Sequence, residues 1–238
     1  MNEAGIEIEF GGARLRCLAE RALWWPDEGM LVVSDLHLGK SERMARRSGA
    51  LVPPYESAET LARLADLVAR LDPSEVLCLG DSFDDLRAAD ALDEDACQTI
   101  RRLVSQRRWI WVQGNHDPGP AAAFGGAHAK VLRRAGLLLR HAAVPGETAP
   151  EISGHYHPKA GLRGLRRPAF VTDGARLILP AFGTYTGGLD ATDPAIAGLM
   201  GPGARAILAG PTQATLPLAA CMPRAPSGPP WRWSRRFG

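Results

Sequence analysis

The sequence predicts an α/β fold, with a first half of buried strands and helices around a parallel sheet and a second half forming another, mostly antiparallel sheet. Three observations predict it. Short continuous apolar runs alternate with helix-period stretches up to Val112, and each of those buried runs ends in a polar cluster. Beyond Pro120 the apolar runs shorten and are interrupted by Gly or Pro every few residues.

Taken in order, Ile6-Glu7-Ile8-Glu9-Phe10 alternates at period two, and Gly11-Gly12 separates it from Leu15 to Trp25, as in a hairpin that opens a sheet. Met30-Leu31-Val32-Val33-Ser34 is a continuous apolar run, the pattern of a strand covered on both faces, and it ends at Asp35. From Glu56 to Leu71 the residues Leu61, Leu64, Val68 and Leu71 recur at helical spacing, and Asp72-Pro73 stops them. Val76-Leu77-Cys78-Leu79 reads as a second buried strand. Asp90 to Arg108 reads as a helix, acidic at its start and basic at its end, as the macrodipole favours. Trp109-Ile110-Trp111-Val112 is the third strand. In the second half the runs are Val131-Leu132, Leu137-Leu138-Leu139, Phe170-Val171-Thr172 and Leu177-Ile178-Leu179.

A chain of 238 residues can bury a core without staples, and no break in composition divides it, so residues 1–222 are expected to form one domain. Residues 223–238 form a Pro/Gly-rich tail ending in Trp231, Trp233 and Phe237 among arginines. The four cysteines, Cys17, Cys78, Cys97 and Cys221, are scattered, which argues against a disulfide scaffold or a thiolate zinc site. A net charge of +2 excludes binding to nucleic acid by bulk charge. No apolar run is long enough to span a membrane, and the N-terminus lacks the features of a secretion signal; a cytoplasmic location is expected, with no membrane partner.

The polar clusters carry the chemistry. They are Asp35-Leu36-His37, Gly80-Asp81-Ser82-Phe83-Asp84 and Gly114-Asn115-His116-Asp117, one after each strand of the first half. Neighbouring strands of a parallel sheet bring their carboxyl ends together, so the three would meet. The second half adds His141 and Gly154-His155-Tyr156-His157, where both imidazoles of an extended segment can face one centre. Each cluster alone has a plain structural explanation as a turn, a cap or a satisfied histidine; the series in register does not. Asp, Asn and His without thiolates suit manganese, iron or zinc, and seven donors imply two ions.

These blocks, spread from Asp35 to His157, resemble the calcineurin-like metallophosphoesterase family. The resemblance implies a four-layer sandwich of two mixed β-sheets flanked by helices. It also implies two divalent metal ions, manganese foremost and iron or zinc as alternatives. By the family's pattern Asp35, His37 and His157 hold one ion, Asn115, His141 and His155 the other, and Asp81 bridges them. His116 then faces the scissile phosphate as the acid, oriented by Asp84. Asp85 and Gln113 stand where the phosphoprotein phosphatases carry arginines, and Asp117 replaces their glutamate, which disfavours a protein phosphatase. The frame Leu38-Gly39-Lys40-Ser41-Glu42, Arg47-Ser48-Gly49, Val52-Pro53-Pro54-Tyr55 and Leu179-Pro180-Ala181-Phe182-Gly183 with Thr186-Gly187-Gly188 is similar to the bacterial ligase-associated DNA damage response phosphoesterases of the PdeM type.

The resemblance implies hydrolysis of phosphodiesters by a hydroxide activated between two metals, and a nuclease role in DNA repair with a DNA ligase and a helicase as partners. A hydrolase of small phosphate esters or cyclic nucleotides shares the same metals. A scaffold that kept the fold without the chemistry is the rival from another class. Tyr156 is expected to pack rather than touch substrate. Arg46-Arg47 and Arg166-Arg167 fit solvated arginines better than a phosphate track. The aromatic and arginine residues of the tail suit either stacking on single-stranded nucleic acid or docking onto the chain's own sheet.

Overall fold

The computed structural model describes residues 5–41, 55–85, 88, 92–115, 123–162 and 165–221. The expectations placed on Arg46-Arg47, Arg47-Ser48-Gly49, Val52-Pro53-Pro54, His116, Asp117 and the tail 223–238 lie outside these residues.

The first sheet has seven strands in the order of the chain. They are β1 (Gly5–Phe10), β2 (Ala13–Leu18), β3 (Leu23–Trp25), β4 (Met30–Val33), β5 (Glu75–Leu79), β6 (Arg108–Val112) and β7 (Ala127–Ala129). Pairing is antiparallel from β1 to β4 and parallel from β4 to β7. Gly11 and Gly12 both have positive φ, 54° and 83°, the requirement of the tight turn between β1 and β2. The stretch Leu15 to Trp25, read as the far side of the hairpin, holds two strands, because the chain turns back between Leu18 and Ala22 with Arg21 at φ 71°. Helix α1 (Glu56–Leu71) connects β4 to β5, and helix α2 (Glu94–Ser105) connects β5 to β6. The start of α2 is set by Asp93, whose side chain accepts from the backbone N–H of Ala96 at 2.7 Å.

The second sheet runs β15-β14-β12-β13-β10-β9-β8, with β11 (Lys159–Ala160) paired to β12. Its strands are β8 (Val131–Arg134), β9 (Leu137–Arg140), β10 (Glu151–Ser153), β12 (Arg167–Thr172), β13 (Arg176–Ile178), β14 (Arg205–Leu208) and β15 (Ala214–Pro217). It is mixed rather than simply antiparallel, since β10 lies parallel to both β9 and β13. A helix α3 (Pro194–Ala197) and a 3-10 turn at Leu218–Ala220 cover its outer face.

Period two along the strands sorts the core. Met30, Val32, Leu77 and Leu79 enter the layer between the sheets with Phe170 and Leu177, while Leu31, Val33, Val76 and Cys78 face α1 and α2. All four thiols are free. Among the described residues no helix is long and apolar enough to cross a membrane.

Candidate metal centre

The carboxyl ends of β4, β5 and β6 lie side by side because these strands pair in parallel. Their loops are tied by backbone hydrogen bonds. The N–H of Asp35 donates to Gly80 O (3.2 Å), that of His37 to Asp81 O (2.9 Å) and that of Asp84 to Leu38 O (2.9 Å). In the second sheet β9 and β10 are parallel neighbours, and the Gly154 N–H donates to His141 O at 2.8 Å. The two sheets are joined at this edge where Phe182 N–H donates to Ser34 O (2.7 Å) and Gly183 N–H to Asp35 O (3.1 Å).

Two donor groups result, Asp35 with His37 and His157, and Asp81 with His141 and His155. In each, one ligand atom per residue lies within 4.8 Å of the others. His37 Nε2 is 3.3 Å from His157 Nε2, which is 3.2 Å from Asp35 Oδ1. His141 Nε2 is 3.1 Å from His155 Nδ1, 3.4 Å from Asp81 Oδ2 and 2.8 Å from Asn115 Oδ1. His141 Nδ1 lies 3.8 Å from Asp35 Oδ1, so the groups adjoin. Asp35, His37, Asp81, His155 and His157 all have positive φ, between 45° and 72°. Such backbone costs about 1–3 kcal/mol per residue and persists where surrounding structure imposes it, commonly at functional sites.

The ring nitrogens are sorted by their partners. His37 Nδ1 donates to Asp84 Oδ1 (2.9 Å) and His141 Nδ1 to Leu79 O (2.9 Å), which turns each Nε2 toward the centre. Burial disfavours the charged form of His141, but the hydrogen bond to Asp81 and the charges of Asp35 and Asp81 outweigh it and push its pKa up to about 9. His155 is held below its usual value, first by burial and then by His141. Burial works against the charged form of Asp35 too, but His157, His141 and His37 bring its pKa below the usual carboxylate value.

These residues fit divalent cations. Asp35 Oδ1 is buried and receives no well-aligned hydrogen bond, its near neighbour being His157 Nε2 at 3.2 Å, an arrangement a cation would complete. The donors are carboxylate, amide and imidazole, a set for borderline to hard ions. Small residues keep room for them: a Cβ on Gly154 would overlap Ser34 Oγ and Asp35 Oδ2, and one on Gly80 would run into the His141 ring.

The structure thus brings together Asp35, His37, Asp81, Asn115, His141, His155 and His157, all singled out in the sequence. Asp84 is buried against His37; His116, with which the sequence reading pairs it, lies outside the described residues. Tyr156 packs beside the outer core of the second sheet and meets the edge of His155. Arg166 pairs with Asp190 at 2.7 Å and Arg167 donates to Thr212 O at 2.6 Å, so both have partners within the chain. Sequence reasoning missed Ser34, whose hydroxyl donates to Asp35 Oδ2, and Arg63, whose guanidinium donates to Phe182 O. Neither has a motif; their roles come from contacts made only in the fold.

A two-sheet α/β sandwich with clustered Asp and His at one edge defines a class of metal-dependent phosphoesterases. The profile of the calcineurin-like phosphoesterase family matches residues 30–172, and the chain belongs to that family. Among solved structures, the Pseudomonas putida nuclease MPE is similar at 31% identity and a TM-score of 0.71, over 87% of this chain and 98% of that one. YfcE, a phosphoesterase from E. coli, is similar at 12% identity and a TM-score of 0.41, over 79% of this chain and 98% of that one. No curated protein matches. The protein is a metallophosphoesterase, a hydrolase of a family that binds divalent metals.

Proposed function

We propose that this chain is a phosphodiesterase that cleaves nucleic acid, a nuclease of DNA repair working with two divalent cations, manganese foremost and iron or zinc as alternatives. The observation that carries it is the pair of adjoining donor groups, each within 4.8 Å, built from two carboxylates and four imidazoles. The 31% identity to a nuclease across nearly all of its length supports nucleic acid over a small ester.

Asp35, His37 and His157 would hold one cation, and Asn115, His141 and His155 the other, with Asp81 shared. When bound, the cations supply positive charge toward a phosphate diester and lower the pKa of water to about 7. Asp84 keeps Nδ1 of His37 protonated and so directs its Nε2 inward. Leu79 O does the same for His141. Ser34 and the His155 N–H (3.0 Å) both donate to Asp35 Oδ2, which leaves Oδ1 for a cation. His116 would give a proton to the departing alkoxide, and by its place in the sequence Asp84 would orient it. The proposal also holds that the protein acts in the cytoplasm beside a DNA ligase and a helicase.

The test is hydrolysis of bis(p-nitrophenyl) phosphate, p-nitrophenyl phosphate, and single- and double-stranded DNA with manganese, iron or zinc. Cleavage of DNA and of the diester is expected. Hydrolysis of the monoester alone would make this a small-phosphate hydrolase, and no hydrolysis with any metal would make it a scaffold. His116→Ala should keep its metal by elemental analysis and lose turnover by about 10²- to 10⁴-fold.

A further inference from the structure

The chain has three tyrosines, and two of them are exposed, Tyr55 at 70% and Tyr185 at 54%. Tyr185 lies two residues beyond Gly183, whose N–H donates to the backbone of Asp35 at 3.1 Å. On its other side Thr186 O accepts from Lys159 Nζ (3.2 Å), and Leu189 N–H donates to Tyr156 O (3.2 Å). The segment 182–189 therefore runs along the centre from Asp35 to the flank of His157. Tyr55 precedes the first residue of α1, whose Ser57 Oγ accepts from the Gly39 N–H (2.9 Å) and whose Glu56 Oε1 accepts from the Ser41 N–H (2.8 Å), just beyond His37. One turn further along, Thr60 Oγ1 accepts from the Thr184 N–H at 3.0 Å, so the two tyrosines flank a single seam.

That seam is held firmly. The Arg63 guanidinium lies 4.5 Å over the Phe182 ring and donates to Phe182 O, and Arg21 donates to Gly183 O at 3.2 Å. Tyr185 nevertheless has φ 56°, a left-handed backbone that glycine or asparagine would adopt more readily. A large ring at such a position, over half exposed, is not explained by packing. What an exposed ring beside a phosphate-binding centre offers is a π-face, and unstacked nucleobases bind π-faces whatever their sequence.

We propose that Tyr185, with Tyr55 across the seam, stacks on nucleobases next to the scissile phosphate and makes base-bearing strands the favoured diester at this centre. The inference rests on the nuclease reading. It is tested with two oligonucleotides of one length, an oligothymidylate and a strand of abasic residues with the same phosphate backbone. The readout is the ratio of kcat/KM on the first to that on the second. Wild type should show a ratio of about 10 or more, as the loss of a stacked base implies. Tyr185→Asn, which removes the ring while suiting the left-handed backbone, should bring the ratio toward one; Tyr55→Asn should lower it, and Tyr185→Phe should keep it. A wild-type ratio near one, or a ratio unmoved by Tyr185→Asn, overturns the stacking role and leaves the nuclease reading standing. Hydrolysis of bis(p-nitrophenyl) phosphate with cleavage of neither strand overturns the nuclease reading and the stacking with it.

Discussion

Asp84 shows how a single residue can matter without reaching the chemistry. Its carboxylate fixes which nitrogen of His37 carries the proton, and partners of this kind are typically worth about 10- to 100-fold in metal affinity. Asp84→Leu should weaken manganese binding by that factor in titration calorimetry. Gly154→Ala should lower metal content by elemental analysis, because its methyl would occupy the space of Ser34 Oγ and Asp35 Oδ2. The pKa of His141, pushed up to about 9, gives a pH dependence with a definite sign. In the metal-free protein the proton on His141 stabilises the fold fully below the ordinary imidazole pKa of about 6.5, and this is lost as pH rises through about 9. Metal must displace that proton, so affinity should rise with pH up to about 9. Calorimetry in buffers of different ionisation enthalpy, near pH 7.5, should show proton release on binding. The donors were legible because polar residues ending a buried strand stand out against apolar runs. Ser34 and Arg63 were not, since their contacts form only in the fold: Arg63 meets Phe182 at a separation of 119 residues.

At the scale of elements, α1 was readable from end to end because its apolar stripe and its stop at Asp72-Pro73 are both strong signals. Helix α2 begins at Glu94, where the Asp93 side chain caps it, four positions after the start that the acidic run suggests; Asp90 itself lies outside the described residues. Its other end was placed late, because Arg108 already begins β6. Strands β7 and β11 are short and have little buried surface, so they leave no periodicity to read. The central place of β10 follows from pairing with β9 and β13, which no local pattern encodes. The helix layer should bear much of the stability of the first sheet: Leu64, fully buried in the core under α1, should cost about 2–5 kcal/mol as Leu64→Ala in denaturant unfolding.

For the whole molecule, the chain divides in an orderly way. Every strand from β1 to β7 belongs to the first sheet and every strand from β8 to β15 to the second, with Lys130 between. The core between the sheets draws on both halves, as does the centre, where Asp35 and His37 face His155 and His157 across about 120 positions. Cations held there would bind the folded state alone, so chelation should lower Tm by about 5–10 °C for free metal near 100 times Kd, readable by scanning calorimetry. The same division has a practical consequence for anyone who cuts the gene in two at Lys130. Each product would carry one complete sheet and part of the liganding set, and a divalent cation would become the clasp for a split enzyme that regains its hydrolytic signal only when both pieces and the ion meet.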